Sequence, residues 1–527
     1  MKTCVLFLFL NIIGNFVFSQ IPPAITWQHP LGGTNNDIAY SVIQSADGGF
    51  VVAGNSASND GDILRPADNL HGGNYDEWIV KLDAQSNILW KRHTGGVGSD
   101  VAIKVMQMRD GGYIVGGNSS SFDTIGSYSN SDYWLNKLNS DGTIAWSKNY
   151  GGSGYDDFGS LDTTSDGGLI LCGGSSSFDR DVTGNYGASD FWLVKTDGLG
   201  NIQWQKNYGG SEYDKAQSVK QTADGGYVVT GFTSSNNIDV TGFHGVTDGW
   251  LVKLNAVGNI FWEQCYGGSL DDYAYDILVL PDNNYIFCGY TFSSDGDVVG
   301  NHGLFDAWVM KIDQAGKILW QRCYGGDSID YVLAMDKVSD NGFILGGFST
   351  STNGDCTSNY GGQDFWILRI DSLGSLMWQK NYGGTVDDVC NSVYTLKDGN
   401  YITAGYTTSN DGDVIGNHTP YSYKDYWVVL LDGTVGISFP DSANKYVNGF
   451  PMPAQNYFTL DLNRSPLPAN KKVEVQIVDL LGKDMIKDMI SDKMVTVDCS
   501  SWQAGIYLYR LKTENDIIAK GKILIQK

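Results

Sequence analysis

The chain has 527 residues, a formal net charge of −24 and a sequence pI near 4.4. A surface this acidic repels nucleic acid and anionic lipid, which excludes both as main partners. The excess is uneven: residues 437–527 hold 12 Lys/Arg against 10 Asp/Glu, so the negative charge falls on the segment before them.

Residues 1–19 read as a signal peptide. Lys2 precedes an apolar run from Val5 to Phe18, and Ser19-Gln20 suits cleavage. Cys4 lies too early to carry a lipid at that point. No later apolar run has the length needed to span a membrane, so the expected product is exported, and either free or held at the cell surface by other means. The other seven cysteines are odd in number and show no metal-ligand spacing, and they read as small buried residues.

From Ile25 the sequence repeats, and a repeat decides the architecture before any local reading does. Two tryptophan columns mark the period. One is Trp27, Trp90, Trp146, Trp204, Trp262, Trp320 and Trp378; the other is Trp78, Trp134, Trp192, Trp250, Trp308, Trp366 and Trp427. In the fourth copy, four alternating runs are expected as strands: Ala216–Thr222, Tyr227–Thr233, Trp250–Leu254 and Asn259–Gln264. Asp224-Gly225-Gly226 makes a tight turn between the first two, because glycine supplies the positive φ a hairpin needs. Four antiparallel strands make one propeller blade, and seven copies make a ring. The fold class is therefore all-β, a seven-bladed β-propeller followed by a small β-sandwich. Ile25–Pro30 is a fourth strand with no blade before it, and Tyr426–Leu431 a third strand with no fourth after it, so the two are expected to pair and close the ring. Each tryptophan can bury on the order of 200 Å2, about 5 kcal/mol before entropy is subtracted. A glycine column in the second strand, Gly54, Gly117, Gly174, Gly231, Gly289, Gly347 and Gly405, marks close backbone approach.

After Gly433 the repeat stops and lysine becomes common. Short strands are expected at Tyr457–Leu462, Val473–Val478, Met494–Val497, Ile506–Lys512 and Ile517–Leu524, a small β-sandwich. This tail opens with Phe450-Pro451-Met452-Pro453-Ala454. It continues through Val475-Gln476-Ile477-Val478-Asp479-Leu480-Leu481-Gly482-Lys483, Val497-Asp498-Cys499-Ser500 and Ala504-Gly505-Ile506-Tyr507, and ends in the strand 520–527. In that order the motifs resemble the C-terminal sorting domain of the Bacteroidetes type IX secretion system, with Met452 where the family has Asn. The resemblance implies export across the outer membrane, the type IX machinery as partner of residues 435–527, and removal of the tail on release or attachment. The repeats are similar to bacterial extracellular propeller repeats defined by shape rather than activity, which supports fold alone. The chain thus divides into a signal peptide (1–19), a propeller (20–434) and a sorting domain (435–527).

In a four-stranded blade alternate connections share a side. The Asp-Gly-Gly turns and the third-to-fourth turns lie on one; the long second-to-third loops and the blade-to-blade links lie on the other, where a functional surface is expected. Two aspartate columns open there: Asp37, Asp100, Asp156, Asp214, Asp272, Asp330 and Asp388; and Asp76, Asp132, Asp190, Asp248, Asp306, Asp364 and Asp425. Sevenfold presence argues for carboxylates that accept loop amide protons, since a catalytic carboxylate is needed once or twice. The loops carry the acid pairs Asp60/Asp62, Asp295/Asp297 and Asp411/Asp413. Their alternating oxygens around glycine resemble part of a calcium loop, but the full ligand pattern is missing, so calcium is the one cofactor to consider and solvated turns the plainer reading. His71, Tyr128, Tyr186, His244, His302, Tyr360 and His418 occupy matching loop positions, either packed on their own blades or available to stack on a ligand.

Asn139-Ser140-Asp141-Gly142-Thr143-Ile144-Ala145-Trp146 resembles the Asp-box hairpin of sialidases and the tryptophan-docking turn of quinoprotein propellers, both scaffold elements. No zincin helix, P-loop or nucleophile elbow is present, and the repeat arginines fall in unmatched columns. The sequence favours a secreted or cell-surface, non-catalytic binding propeller for glycan or protein. The alternatives are a carbohydrate-active hydrolase or lyase using two loop acids, and a structural surface component.

Overall fold

In a computed structural model the described residues are 22–63, 75–121, 131–418 and 423–433, then 448–450, 456–461, 473–479, 483–490, 494–503, 505–512 and 517–525. The leader, His71 and Tyr128 lie outside them. The chain divides into two compact units, one of residues 22–435 and one containing the tail from Gly436. Among the described residues no helix is long and apolar enough to cross a membrane.

The repeats form seven four-stranded antiparallel sheets in meander order. In the fourth blade the strands are Asp214–Gln221, Tyr227–Thr233, Asp248–Leu254 and Ile260–Tyr266. Strands one and three begin at the aspartate columns, slightly earlier than the apolar pattern alone suggests, because each aspartate is held in place by hydrogen bonds rather than by apolar packing. First strands contact one another from blade to blade and the first blade meets the seventh, so they surround the centre. The ring closes as expected. Ile25–Leu31 pairs antiparallel with Asp425–Leu431, Ile25 opposite Leu431 and Leu31 opposite Tyr426, as the outer strand of blade seven.

The two tryptophan columns do different work. Those in strand three are at most 2 % exposed and form the cores between blades. Those in strand four are mostly half-buried, and five of them, Trp90, Trp146, Trp204, Trp262 and Trp320, lie against a glycine of the next blade's third-to-fourth turn, so the full burial expected of all fourteen applies to the first column only. Gly200 shows the fit. It has φ +75°, and a Cβ there would lie 2.9 Å from the Trp146 indole. Gly142, in the turn that resembles a tryptophan-docking element, sits likewise against Trp90.

One glycine column is corrected. Strand one carries a bulge in every blade, opposite a glycine whose missing Cβ makes room for a carbonyl; at Gly289 that Cβ would lie 1.9 Å from the Tyr273 oxygen. In blade three this place belongs to Gly173, not Gly174: Gly173 pairs with Phe158 and faces the Asp157 carbonyl, as Gly231 pairs with Ala216. The Gly-Gly pair hides the one-residue offset.

The tail holds a three-stranded sheet (Asn448–Phe450, Tyr457–Asp461, Met494–Asp498) and a four-stranded one (Val473–Asp479, Asp484–Ile490, Gly505–Lys512, Ile517–Ile525). Phe458, Leu460 and Val497 from the first share a core with Val475, Ile477 and Leu511 from the second. Asn448–Phe450 and Asp484–Ile490 are strands that the sequence pattern does not announce.

Candidate ligand-binding face

The first aspartate column is architecture. In all seven blades Oδ2 accepts the backbone N–H of the second glycine of Gly-Gly, at 2.7–2.9 Å. It also accepts a serine hydroxyl from just after strand two, again at 2.7–2.9 Å. A second hydroxyl two residues earlier, such as Thr233 on Asp214, reaches the other oxygen. These seven aspartates are fully buried, each fastening the start of strand one to the end of strand two.

The second column does the same for the long loops. Asp190, Asp248, Asp306, Asp364 and Asp425 accept the backbone N–H of Tyr186, His244, His302, Tyr360 and His418 at 2.6–2.9 Å. Across each junction the two columns meet at the first glycine of Gly-Gly. A Cβ on Gly209 would lie 2.5 Å from Asp214 Oδ2 and 2.7 Å from Asp190 Oδ1. Burial, with the facing carboxylate adding to it, pushes Asp190 and Asp364 up to about 7. Burial likewise lifts Asp37 to about 7.

The loop histidines are tied to these acids. Nδ1 of His244, His302 and His418 lies 2.8, 2.6 and 2.7 Å from Oδ2 of Asp248, Asp306 and Asp425. Burial works against charge on His418, but the carboxylates of Asp425, Asp62 and Asp37 raise it above the usual histidine value. Tyr186 and Tyr360 keep nearly half of their surface exposed. The five described members of the column are thus tied to their own blades and stay partly exposed.

The acid pairs considered for calcium bind backbone. Asp60, Asp295 and Asp411 accept the N–H of Thr34, Ser269 and Thr385 at 2.7–2.8 Å. Asp62 accepts from Gly32 at 3.3 Å, and the N–H groups of Asp297 and Asp413 donate to Gly267 and Gly383. Among the described residues no group of three or more His, Cys, Asp or Glu is arranged to hold a metal. The seven described cysteines are buried free thiols, and burial pushes Cys172 up to about 12.

What breaks the sevenfold pattern is aromatic. On the loop-bearing side, at the inner ends of blades four to six, rings form a continuous arc. Tyr213 meets Phe232 at 5.9 Å between centroids, and Phe232 meets Tyr273 of the next blade at 4.7 Å. Tyr273 meets Tyr290 at 4.9 Å, and Tyr290 stacks on Tyr331 of blade six at 3.8 Å and 6°. Phe305 stands edge-on to both members of that stack. Tyr213 is 44 % exposed, while Phe232, Tyr273, Phe305 and Tyr331 are half-buried. Burial pushes the Tyr331 phenol up to about 12. Blades two and three hold Val101, Asn118, Asp157, Gly174, Ser131 and Ser189 at the matching places. Only a comparison of the copies against one another, looking for departures, would reveal the arc in the sequence.

The tail matches, over residues 448–526, the family described as secretion system C-terminal sorting domain. The tail is a type IX sorting domain. With that sorting domain the chain is an exported propeller protein, secreted or displayed at the cell surface. No curated protein matches the chain. Among solved structures, the extracellular domain of a protein described as a hybrid two-component system from B. thetaiotaomicron is 12 % identical with a TM-score of 0.40, covering 97 % of this chain and 60 % of its own. The chain therefore spans less than two thirds of that structure's length. Sqt1 from Chaetomium thermophilum is 11 % identical with a TM-score of 0.40, covering 77 % and 99 %. PorZ, a surface component of the type IX secretion system of Porphyromonas gingivalis, is 12 % identical with a TM-score of 0.25, covering 95 % and 75 %. At these scores the likenesses carry no functional argument.

Proposed function

We propose that the protein is a non-catalytic binding propeller that takes a glycan or protein ligand on its loop-bearing side, after removal of residues 1–19 and dispatch through the sorting domain. The observation that carries this reading is the equivalence of the loop acids. The seven carboxylates of the first column hold the same backbone and hydroxyl partners in every blade, and Asp190, Asp248, Asp306, Asp364 and Asp425 of the second accept the same loop N–H, three of them with a histidine ring beside it. A glycosidase needs one pair of carboxyl groups set apart from the rest in proton affinity and facing a substrate. Seven like pairs, each buried at a blade junction, serve assembly instead. Tyr186, Tyr213 and Tyr360 are exposed on this side beside the loop acids, and exposed rings with polar neighbours equip a binding surface.

The test is a glycan array and a surface-protein binding screen on the purified full chain, with and without chelator. Saturable binding that survives chelation supports the reading, because the carboxylates of Asp60, Asp62, Asp295 and Asp411 already have backbone partners. Loss of binding on chelation makes the ring a calcium-dependent binder. Turnover of an arrayed glycan, read as released reducing ends, contradicts the reading.

A further inference from the structure

We propose that the aromatic arc on blades four to six is a stacking subsite for a neutral polysaccharide chain, bound by the apolar faces of its sugar rings; this rests on the binding reading above and specifies its ligand and place. The first argument is that the fold does not need these rings. Blade two makes the same strands with Val101, Asn118 and Ser131 where blades four to six place Tyr331, Phe232 and Phe305. Aromatic surface left partly in water carries a cost that a covering ligand relieves.

The second argument is continuity. Four consecutive ring-to-ring steps, from Phe232 to Phe348, measure 4.7, 4.9, 3.8 and 4.8 Å and cross two blade junctions without a gap. Tyr290 and Phe348 are buried in this row, and the partly exposed members, Tyr213, Phe232, Tyr273, Phe305 and Tyr331, are spread over three blades, which suits an extended chain of like units better than a single compact ligand. Pyranose rings present a C–H face to an aromatic plane and hydroxyls at the rim, so they need polar partners beside the track. Thr247, Asp271 and the Tyr275 hydroxyl lie next to Tyr273. At the far edge Tyr213 adjoins the ion pair of Lys215 with Asp157.

The third argument is charge. Asp157 and Asp271 flank the arc, and the ring as a whole is strongly acidic. Uronate or sulfated chains would be repelled, whereas a neutral chain keeps its hydroxyl contacts to the same carboxylates.

The experiment measures affinity of the full chain for soluble mixed-linkage β-glucan, xylan and galactomannan, by affinity electrophoresis and calorimetry. The test variant combines Tyr331→Val, Phe305→Ser and Phe232→Asn, each the residue that blade two uses in the same place. Tyr213→Ala, at an exposed position, is the second variant. Wild-type binding to a neutral polymer, lowered at least thirtyfold in the triple variant and several-fold in Tyr213→Ala, is the expected result. Unchanged binding in both variants, with loss in His244→Ala or Tyr360→Ser, overturns the arc and leaves the binding reading intact. Binding of a protein and of no neutral polymer also overturns the arc alone. No binding of either class overturns both.

Discussion

Tyr382 donates its phenol proton to the backbone carbonyl of Pro23, 359 positions earlier, at 2.7 Å. The same bond joins ordinary neighbours: Tyr150, Tyr208, Tyr266 and Tyr324 reach the carbonyls of Gly200, Gly258, Gly316 and Gly374 at 2.5–2.7 Å. The seam between the two ends of the ring is thus built like a joint inside it. Trp427 Nε1 donating to Gln28 at 2.8 Å repeats the Trp192–Gln205 contact at 2.9 Å in the same way.

Tyr382→Phe therefore leaves a buried carbonyl without its donor, at a cost of about 1–2 kcal/mol. Tyr208→Phe, within the ring, should cost the same to within about 0.5 kcal/mol. Urea unfolding of both variants checks this. A Tyr382→Phe cost near zero beside a full cost for Tyr208→Phe would mean that the seam is open in solution.

Glu77 occupies a fully buried place in strand three where other blades have Tyr133, Phe191 or Phe365. Burial pushes it up to about 8, against the hydrogen bonds from Thr94 and Asn136. The folded protein then holds a proton that the unfolded chain has released. This group's contribution is fully present below about 4.5 and is lost as pH rises through about 8. Glu77→Gln keeps the shape and removes the titration. It should match wild type near pH 5 and exceed it by a few kcal/mol at pH 8.5. Parallel stability-versus-pH curves for the two proteins would contradict the assignment.

In six of the seven blades the aspartate that opens the turn between strands one and two is paired with a strand-three cation. Lys253 Nζ, 5 % exposed, lies 2.9 Å from Asp224, and Arg369 makes the equivalent contact with Asp340. In blade seven Leu430 takes that place. Asp224→Ala strands a buried ammonium that keeps only Thr222 and the Leu254 carbonyl, costing about 1–3 kcal/mol. The double change Asp224→Ala with Lys253→Leu should recover most of that, because the chain already tolerates leucine there. A double variant weaker than the single one by thermal unfolding would contradict the argument.

The ring is legible because its signals recur: a tryptophan fully buried in strand three, another lying over a turn glycine, and Asp-Gly hairpins at fixed offsets. Repetition lets seven weak signals act as one. Local register is less legible, since Gly173-Gly174 offers two candidates for one bulge partner and only pairing chooses between them. Asp484–Ile490 escapes notice because Asp-Met-Ile-Lys-Asp-Met-Ile repeats at four, with its apolar residues in adjacent pairs, and lacks the alternation of a half-buried strand. The arc is hidden for the opposite reason to the ring. Tyr213, Phe232, Tyr273 and Tyr331 are far apart in sequence and belong to no motif, and they meet only because strand ends from three blades converge at the centre. Architecture lies in what the copies share, and the candidate site in how they differ.

The most direct test of a ligand face is hydrogen exchange on the full chain, alone and saturated with the ligand that the binding screens return. Protection confined to loop-side peptides of blades four to six, covering Tyr213, Asp271–Tyr275, Phe305 and Ile329–Tyr331, is the predicted result. Protection concentrated on the opposite side, at the Asp-Gly-Gly and third-to-fourth turns such as Asp224–Gly226 and Ala256–Gly258, would contradict it.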